Sequence, residues 1–376
     1  MLDEPLDRPR PISVAQRLLA GLHLDGPLLM ALLTVCCLGL FVLYSAGGQN
    51  ADLIVRQGVR IVVASVTMLI IAQIHPKFLR LWAPWLFLGG IILLVLVLVM
   101  GEIGKGAQRW LDVGIVRFQP SEIMKLAVPM MAAWYLHERP LPPTLRETLT
   151  VLLLLSMMPA ALIARQPDLG TALLIAASGV LVILLAGMSM RLILAFGALA
   201  LAAAPLLWMN MHAYQRQRVL TFLNPESDPL GSGYHIIQSK IAIGSGGVFG
   251  KGWLNGTQAQ LEVLPERATD FIFAVLGEEF GLLGVVTLLL LYLLIIARGL
   301  YIASQAQDTF GRLLSGSISL TFFVYVFVNT GMVTGLLPVV GVPLPLVSYG
   351  GTSMVTLMAG FGMLMSVHTH RKLIPQ

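Results

Sequence analysis

Long apolar runs alternate with short polar turns along the whole chain, and this alternation limits the fold more than any other feature. Each run has about the 20 residues that a helix needs to cross a bilayer. Hydrophobic residues make up 57% of the chain and charged residues only 11%, whereas soluble domains have about 25% charged residues. We therefore predict an all-α integral membrane protein with ten transmembrane helices. The predicted spans are residues 27–46, 57–74, 78–100, 119–137, 148–164, 170–187, 191–209, 269–297, 311–337 and 345–367.

The distribution of basic residues predicts the orientation in the membrane. An even number of spans places both termini on one side. Long loops count little in such a comparison, so the segment 210–268 is left out. Among the remaining loops and tails, lysine and arginine are more frequent on the side of the termini. This predicts a cytoplasmic N-terminal tail (1–25), a single membrane domain (26–370) and a cytoplasmic C-terminal tail (371–376). Segment 210–268 becomes a large extracytoplasmic loop between the seventh and eighth helices.

Charge and cysteine content exclude several classes of function. The net charge of +5 is small for 376 residues, and the chain has no dense basic run, so we predict no nucleic-acid partner. Cys36 and Cys37 are adjacent within an apolar run. This position excludes an ordinary disulfide framework and a metal-ligand spacing. The sequence offers no dedicated metal cage.

Asp270 stands where a polar, proline-marked loop runs directly into the apolar sequence FIFAVL. An ionisable group at the edge of a hydrocarbon layer is costly and usually has a function. On a continuous helix, Asp270, Ala274 and Glu278 would share one face. Capping of the helix by Asp270 is the alternative interpretation, although Thr269 could also serve as the cap. We predict that Asp270 is a catalytic base.

Polar and cationic residues of the predicted outer segments are candidates for binding an anionic substrate. Glu122 and Lys125 form an i, i+3 pair at the start of a span, and an ordinary structural ion pair is an equally good explanation. Asp168 is placed to cap the helix that follows it. The proline- and glycine-rich stretch 335–353 is a candidate cavity wall, because irregular backbone at membrane depth is either buried or lines a cavity. The candidate binding residues are Lys105, Arg109, Arg117, Glu122, Lys125, Arg216, Lys240, Gln258 and Ser348.

Four stretches resemble motifs of the SEDS proteins (shape, elongation, division and sporulation). They are GAQRWLDVGIVRFQPSEIMKLA, RQPDLGTA, LPERATDFIFAVLGEE and NTGMVTGLLPVVGVPLPLVSYGGTS. The resemblance extends from the first span to the last and is greatest to the elongation branch. It implies a ten-helix peptidoglycan glycosyltransferase that polymerises lipid II into a nascent glycan strand on the outer face of the bacterial inner membrane. The implied partners are a class B penicillin-binding protein and other membrane proteins of the elongation complex.

The resemblance also implies roles for individual residues. It places the essential loop acid of the family at Asp270, and the polar helix positions at Glu122 and Lys125. Ala268 is a departure, since family members commonly have histidine there. In an inverting transfer, Asp270 would accept the proton of the acceptor hydroxyl while cations stabilise the leaving lipid pyrophosphate. No cofactor is certain, and a divalent cation (Mg or Mn) held by the pyrophosphate is an option. A lipid II flippase and a non-catalytic scaffold are the alternative functions.

Overall fold

The computed structural model describes residues 21–104, 107–112, 117–211, 213–227, 232–257 and 266–370. A helix covers each of the ten predicted apolar runs, although the exact ends differ. The helices are α1 (Gly26–Ala46), α2 (Ala51–Gln73), α3 (Pro76–Met100), α4 (Pro120–Leu136), α5 (Leu145–Ala164), α6 (Leu169–Leu185), α7 (Met190–Asn210), α8 (Ala213–Leu223), α9 (Ser232–Gly246), α10 (Ile272–Ser304), α11 (Thr309–Val333) and α12 (Thr352–Thr369).

Within the described part of the chain, six helices are long and apolar enough to cross a membrane, namely α1, α2, α3, α5, α10 and α11. The outward faces of α2 and α3 expose large apolar side chains, such as Val62, Trp82 and Trp85. Water would oppose such exposure, whereas lipid tails accommodate it. The chain is therefore a multi-pass membrane protein.

Polar caps fix the first residue of several helices. An acidic or amide side chain before the helix accepts a hydrogen bond from a backbone N–H that has no partner inside the helix. Asp25 accepts from Leu28 N at 3.0 Å, before α1. Asp168 accepts from Thr171 N at 3.2 Å, before α6. The predicted capping role of Asp168 is confirmed.

Two regions depart from the predicted architecture. Strands β1 (Glu102–Gly104), β2 (Ala107–Asp112) and β3 (Arg117–Phe118) form an antiparallel sheet in the order β1-β2-β3. Segment 210–268, which was predicted as a loop, contains the helices α8 and α9. Neither region carries the uniform apolar pattern that identifies a membrane span.

Helix α10 is broken at Gly281, where φ is 64° and ψ is −159°. The break leaves backbone groups on both sides of Gly281 without partners inside the helix. Such groups are costly in a membrane unless other backbone satisfies them. The segment 247–252 supplies the missing partners. Lys251 N donates to Glu278 O at 3.0 Å, Gly252 N to Glu279 O at 3.0 Å, Leu282 N to Gly247 O at 2.9 Å and Leu283 N to Val248 O at 3.1 Å.

Glycines allow this segment to approach the broken helix closely. A Cβ atom on Gly246 would lie 2.0 Å from the carbonyl oxygen of Gly277, and one on Gly250 would lie 2.1 Å from that of Glu279. No larger residue fits at either position without moving backbone. Residues 272–280 consequently form a separate piece of helix, which we call the α10 half-helix. The stretch 244–257, which we call the glycine segment, lies against it.

Asp25 joins three helices at the end of the bundle that carries the start of α1. Arg298 donates from Nε and Nη2 to the two carboxylate oxygens, at 3.0 and 2.7 Å. The Nε2 atom of His368 lies 3.3 Å from the carboxylate. Burial raises the pKa of Asp25, but the hydrogen bonds from Arg298 and Leu28 and the charges of Arg298 and His368 outweigh burial, so the pKa lies below its ordinary value. The carboxylate thereby ties α1 to α10 and α12.

Replacement of Asp25 should destabilise the fold in a pH-dependent way. We expect Asp25→Asn to lower the free energy of unfolding at pH 7 by about 2 kcal/mol, since charge-assisted hydrogen bonds are lost. The pKa of Asp25 is depressed by folding, so its stabilisation is present above the unfolded value of about 3.8 and is lost as the pH falls through the folded value. Thermal unfolding in detergent should show a difference between parent and variant that closes in acid. A difference that is independent of pH would contradict this expectation.

Candidate functional site

Asp270 lies in the turn 266–271, immediately before the α10 half-helix. The helix begins at Ile272, and its N-cap residue is Phe271, which makes no side-chain capping bond. The Thr269 hydroxyl donates to Glu266 instead of capping the helix. The prediction that Asp270 shares a helical face with Glu278 is therefore wrong, because Asp270 precedes the first helical turn. The N-cap position itself is occupied by Phe271, so Asp270 lies one residue before the cap.

The backbone of this turn is held at three consecutive carbonyl groups. The donors come from α11 and from the segment 335–351, which we call the proline loop. Each bond fixes one peptide unit, so together they immobilise the turn that carries Asp270. Tyr349 N donates to Ala268 O at 2.8 Å, Ser348 Oγ donates to Thr269 O at 2.5 Å, and Asn329 Nδ2 donates to Asp270 O at 2.9 Å.

Asn329 and Gly341 place the Asp270 side chain against the proline loop. Asn329 is fully buried, and its amide also donates to Val342 O at 2.7 Å. Gly341 has a φ of 73°, and a Cβ atom there would lie 3.5 Å from Asp270 Oδ2. The positive φ favours glycine. The Asp270 carboxylate therefore lies beside the backbone of Gly341, at a distance where a Cβ atom would be in van der Waals contact with it.

Ser348, a predicted substrate-binding residue, forms hydrogen bonds with the protein backbone through its side chain. Its buried hydroxyl accepts from Leu344 N at 2.8 Å and donates to Thr269 O. The Gln57 amide donates to the carbonyl of Ser348 at 3.3 Å. The side chain thus orients the Asp270 turn and the proline loop.

The predicted pair of Glu122 and Lys125 is present, with Glu122 buried and Lys125 partly buried. Lys125 Nζ lies 2.6 Å from Glu122 Oε1 and 5.4 Å from the centroid of the Tyr325 ring. Tyr325 precedes Asn329 by four residues on α11, which is about one helical turn. The ion pair therefore lies roughly one turn deeper in the bundle than the backbone of Asp270.

The other predicted cations are not gathered around Asp270 in the described part of the chain. Arg216 donates from Nε to Trp208 O at 2.9 Å and from Nη2 to Met209 O at 2.6 Å. It thereby satisfies carbonyls at the end of α7, as basic side chains commonly do at helix C-termini. Lys240 is exposed on α9, and its side chain lies across Gly335. Lys105 and Gln258 lie outside the described residues, and for Arg109 and Arg117 only the backbone is described.

Sequence reasoning missed Arg60 on α2. Its guanidinium carbon lies 4.2 Å from the centroid of the Tyr349 ring, and Tyr349 holds the Asp270 turn through its backbone N–H. The Nη1 atom is buried without a hydrogen-bond partner among the described residues. Arg60 is therefore a candidate anion ligand. The available signal was an arginine inside a predicted span.

An imidazole lies beside the turn although the family histidine is replaced by Ala268. The ring of His235, on α9, stacks on that of Phe271 with centroids 5.7 Å apart and an angle of 18°. Phe271 follows Asp270 directly. Helix α9 therefore brings a titratable ring to the same turn from a different part of the chain.

Glu278 and Glu279 fix the far end of the α10 half-helix. Glu278 is fully buried and lies 2.7 Å from Lys251 Nζ, and the Thr257 hydroxyl donates to it at 3.0 Å. Ser45, at the end of α1, donates to Glu279. The role of Glu278, which the sequence did not reveal, is to attach the half-helix to the glycine segment.

The site thus consists of one carboxylate on an immobilised turn. The half-helix that follows is fixed at its start by this turn and at its end by the contacts of Glu278 and Glu279. Such rigidity suits acid–base chemistry on a bound hydroxyl, because the base must stay within hydrogen-bond reach of the proton it removes. Across the described ranges, no three His, Cys, Asp or Glu side chains come together as a metal site.

Comparison with known proteins identifies the family. Residues 26–373 match the FtsW, RodA and SpoVE family model, which is described as "Cell cycle protein". The chain belongs to the SEDS family. Among SEDS relatives, the peptidoglycan glycosyltransferase MrdB of Escherichia coli K12 is 58% identical over 94% of this chain and 95% of its own length. The probable peptidoglycan glycosyltransferase FtsW of Geobacter metallireducens is 36% identical over 93% of this chain and 96% of its own length.

Solved structures of SEDS proteins share the fold. One comes from work titled "Structural coordination of polymerization and crosslinking by a peptidoglycan synthase complex". It is 33% identical, with a TM-score of 0.82, and covers 93% of this chain and 99% of that chain. The rod shape determining protein RodA of Thermus thermophilus is 29% identical, with a TM-score of 0.70, and covers 93% of this chain and 98% of that chain.

Proposed function

We propose that this SEDS protein is a peptidoglycan glycosyltransferase that polymerises lipid II during cell elongation, with Asp270 as the general base. The observation that carries the proposal is the immobilised Asp270 turn, where three consecutive carbonyl groups accept hydrogen bonds. A non-catalytic scaffold would not require the backbone that carries an acidic side chain to be fixed in this way. The names of the relatives, at up to 58% identity, support the same activity.

The proposed reaction inverts the configuration at the donor sugar. Asp270 accepts the proton of the acceptor hydroxyl as its oxygen bonds to the anomeric carbon of the donor. The bond from that carbon to the lipid pyrophosphate breaks, and the pyrophosphate leaves with the electron pair. Arg60 and Lys125 are the described cations best placed to stabilise this negative charge, and Lys240 is a further candidate at the edge of α9.

The proposed topology has ten spans, with both termini in the cytoplasm and the active site on the outer face of the inner membrane. Support comes from the ten helices that cover the ten apolar runs and from the excess of basic residues on the side of the termini. Asp25 and Ser45 flank α1 at opposite ends. Since Ser45 lies beside the α10 half-helix, the catalytic turn lies at the end opposite the N-terminus of α1.

A class B penicillin-binding protein is the proposed partner, and it would crosslink the strands that this chain makes. The similarity to the chain from a peptidoglycan synthase complex supports this partnership. Other membrane proteins of the elongation complex remain further proposed partners. If a divalent cation takes part, the pyrophosphate oxygens would supply most of its ligands, since the described residues include no metal cluster.

Polymerisation by the purified chain tests the proposal. The protein is incubated with lipid II in detergent, alone and with its transpeptidase, while penicillin blocks crosslinking. We expect glycan strands that a gel resolves by length. Absence of strands under both conditions, with the protein folded, would contradict the proposed activity.

A further inference from the structure

Two adjoining cavities at the end of the bundle far from Asp270 share His75, Lys77 and Arg80, and together we call them the groove. Its walls come from the start of α3, the end of α4 and the turn before α11, and its cations are Lys77 and Arg80. Asp308, which lines the groove, and Asn329, which holds the backbone of Asp270, are separated by most of the length of α11, about 30 Å. The groove therefore cannot take part in the chemistry at Asp270.

Within the described residues, neither Lys77 nor Arg80 has a carboxylate at ion-pair distance. Glu138 lies on the rim, but its side chain is 83% exposed and lies 3.1 Å from His137 Nε2. Asp308 caps α11 by accepting from Gly311 N at 3.2 Å. The two carboxylates of the lining are thus engaged elsewhere, and Lys77 and Arg80 are left to face the groove, with His75, His137 and His370 beside them.

Apolar side chains continue the same surface into the hydrocarbon layer. Phe78 and Leu81 line the groove with Trp134, and they are 58% and 63% exposed. One turn further along α3, Trp82 and Trp85 are also exposed. Tryptophan with a basic residue beside it is typical of the interface between headgroups and lipid tails. The groove therefore offers cations at headgroup level and apolar contacts directly beneath them.

We propose that this groove binds an anionic phospholipid from the leaflet on the side of the chain termini. Lys77 and Arg80 contact the headgroup phosphate, and Phe78, Leu81 and Trp134 contact the start of the acyl chains. A free anion would bind the cations without contacting the apolar wall, whereas a zwitterionic phospholipid would bring its own ammonium group close to Lys77 and Arg80. The complementarity of charge and apolar surface thus favours an anionic lipid.

Lipid retention by the full chain tests this site without any catalytic measurement. The protein is purified from nanodiscs of phosphatidylglycerol and phosphatidylcholine in equal amounts, and native mass spectrometry counts the lipids that stay bound. We expect a roughly 30-fold preference for phosphatidylglycerol, because each cation near an anionic surface contributes about a fivefold preference. Lys77→Gln with Arg80→Gln should abolish this preference.

The control is a double variant with the same change in net charge. Arg146 and Arg191 are exposed at the same end of the bundle, at the starts of α5 and α7, and Arg146→Gln with Arg191→Gln should keep the preference. Leu81→Gln, which leaves the charge unchanged, should lower retention of phosphatidylglycerol severalfold. Equal losses in the two double variants would show a general attraction to charge and would overturn the proposal. Displacement of the lipid by millimolar inorganic phosphate would also overturn it.

Discussion

Asp270→Asn should abolish glycan polymerisation while leaving the protein folded and inserted in the membrane. Asparagine keeps the size of the side chain but cannot accept the proton of the acceptor hydroxyl. A general base contributes roughly 100- to 10,000-fold to a rate, so we expect a loss of at least 100-fold. The backbone carbonyl of Asp270, which Asn329 holds, is unchanged by the substitution. The initial rate of strand formation from lipid II measures the effect.

Two further variants make the result specific to a base at this position. Asp270→Glu retains a carboxylate but displaces it by one methylene, so we expect activity between those of the parent and Asp270→Asn. Asp52→Asn removes an exposed carboxylate from the start of α2, near the same end of the bundle as Ser45, and should polymerise at the parental rate. Full activity of folded Asp270→Asn would exclude Asp270 as the base.

Lys251→Met, in the glycine segment, should strongly destabilise the protein. It leaves the carboxylate of Glu278, which is fully buried, without its cation. Loss of one partner of a buried ion pair costs about 3–5 kcal/mol. Because the pair attaches the α10 half-helix to the glycine segment, polymerisation should fall as well. Thermal unfolding in detergent measures the first effect.

A double-mutant cycle separates the ion pair from other effects of each substitution. Lys251→Met combined with Glu278→Gln removes both charges, so the double variant should be more stable than Lys251→Met alone. Lys240→Met, on the exposed side of α9, is the stability control and should unfold at nearly the parental temperature. If Lys251→Met unfolds at the same temperature as Lys240→Met, the ion pair does not stabilise the attachment of the half-helix.

The helices were predictable from sequence because each apolar run is long enough to cross a bilayer. The local caps and pairs were predictable too, as Asp168 and the Glu122 to Lys125 pair show. The sheet in 102–118 and the helices within 210–268 were not predicted. Their formation depends on backbone pairing and on packing against other helices, and neither leaves a strong periodic pattern.

The surroundings of Asp270 were only partly predictable. Asp270 was identified by its position before an apolar helix. The hydrogen bonds from Asn329, Ser348 and Tyr349 to the backbone of its turn join residues that are far apart in sequence, so they were not predictable. The break at Gly281 was also hidden, since a glycine within a helical pattern does not by itself indicate a break. Ser348 was expected to contact substrate, and in the structure its hydroxyl is occupied by backbone partners.

The most direct test of polymerase function measures polymer and lipid movement in one sample. Parent and Asp270→Asn proteins are reconstituted separately as the sole protein of proteoliposomes that contain lipid II with a fluorescent headgroup. The parent should form glycan strands, Asp270→Asn should form none, and neither should accelerate movement of headgroups between leaflets. Accelerated headgroup movement by the parent without strand formation would contradict the polymerase and identify a lipid II flippase.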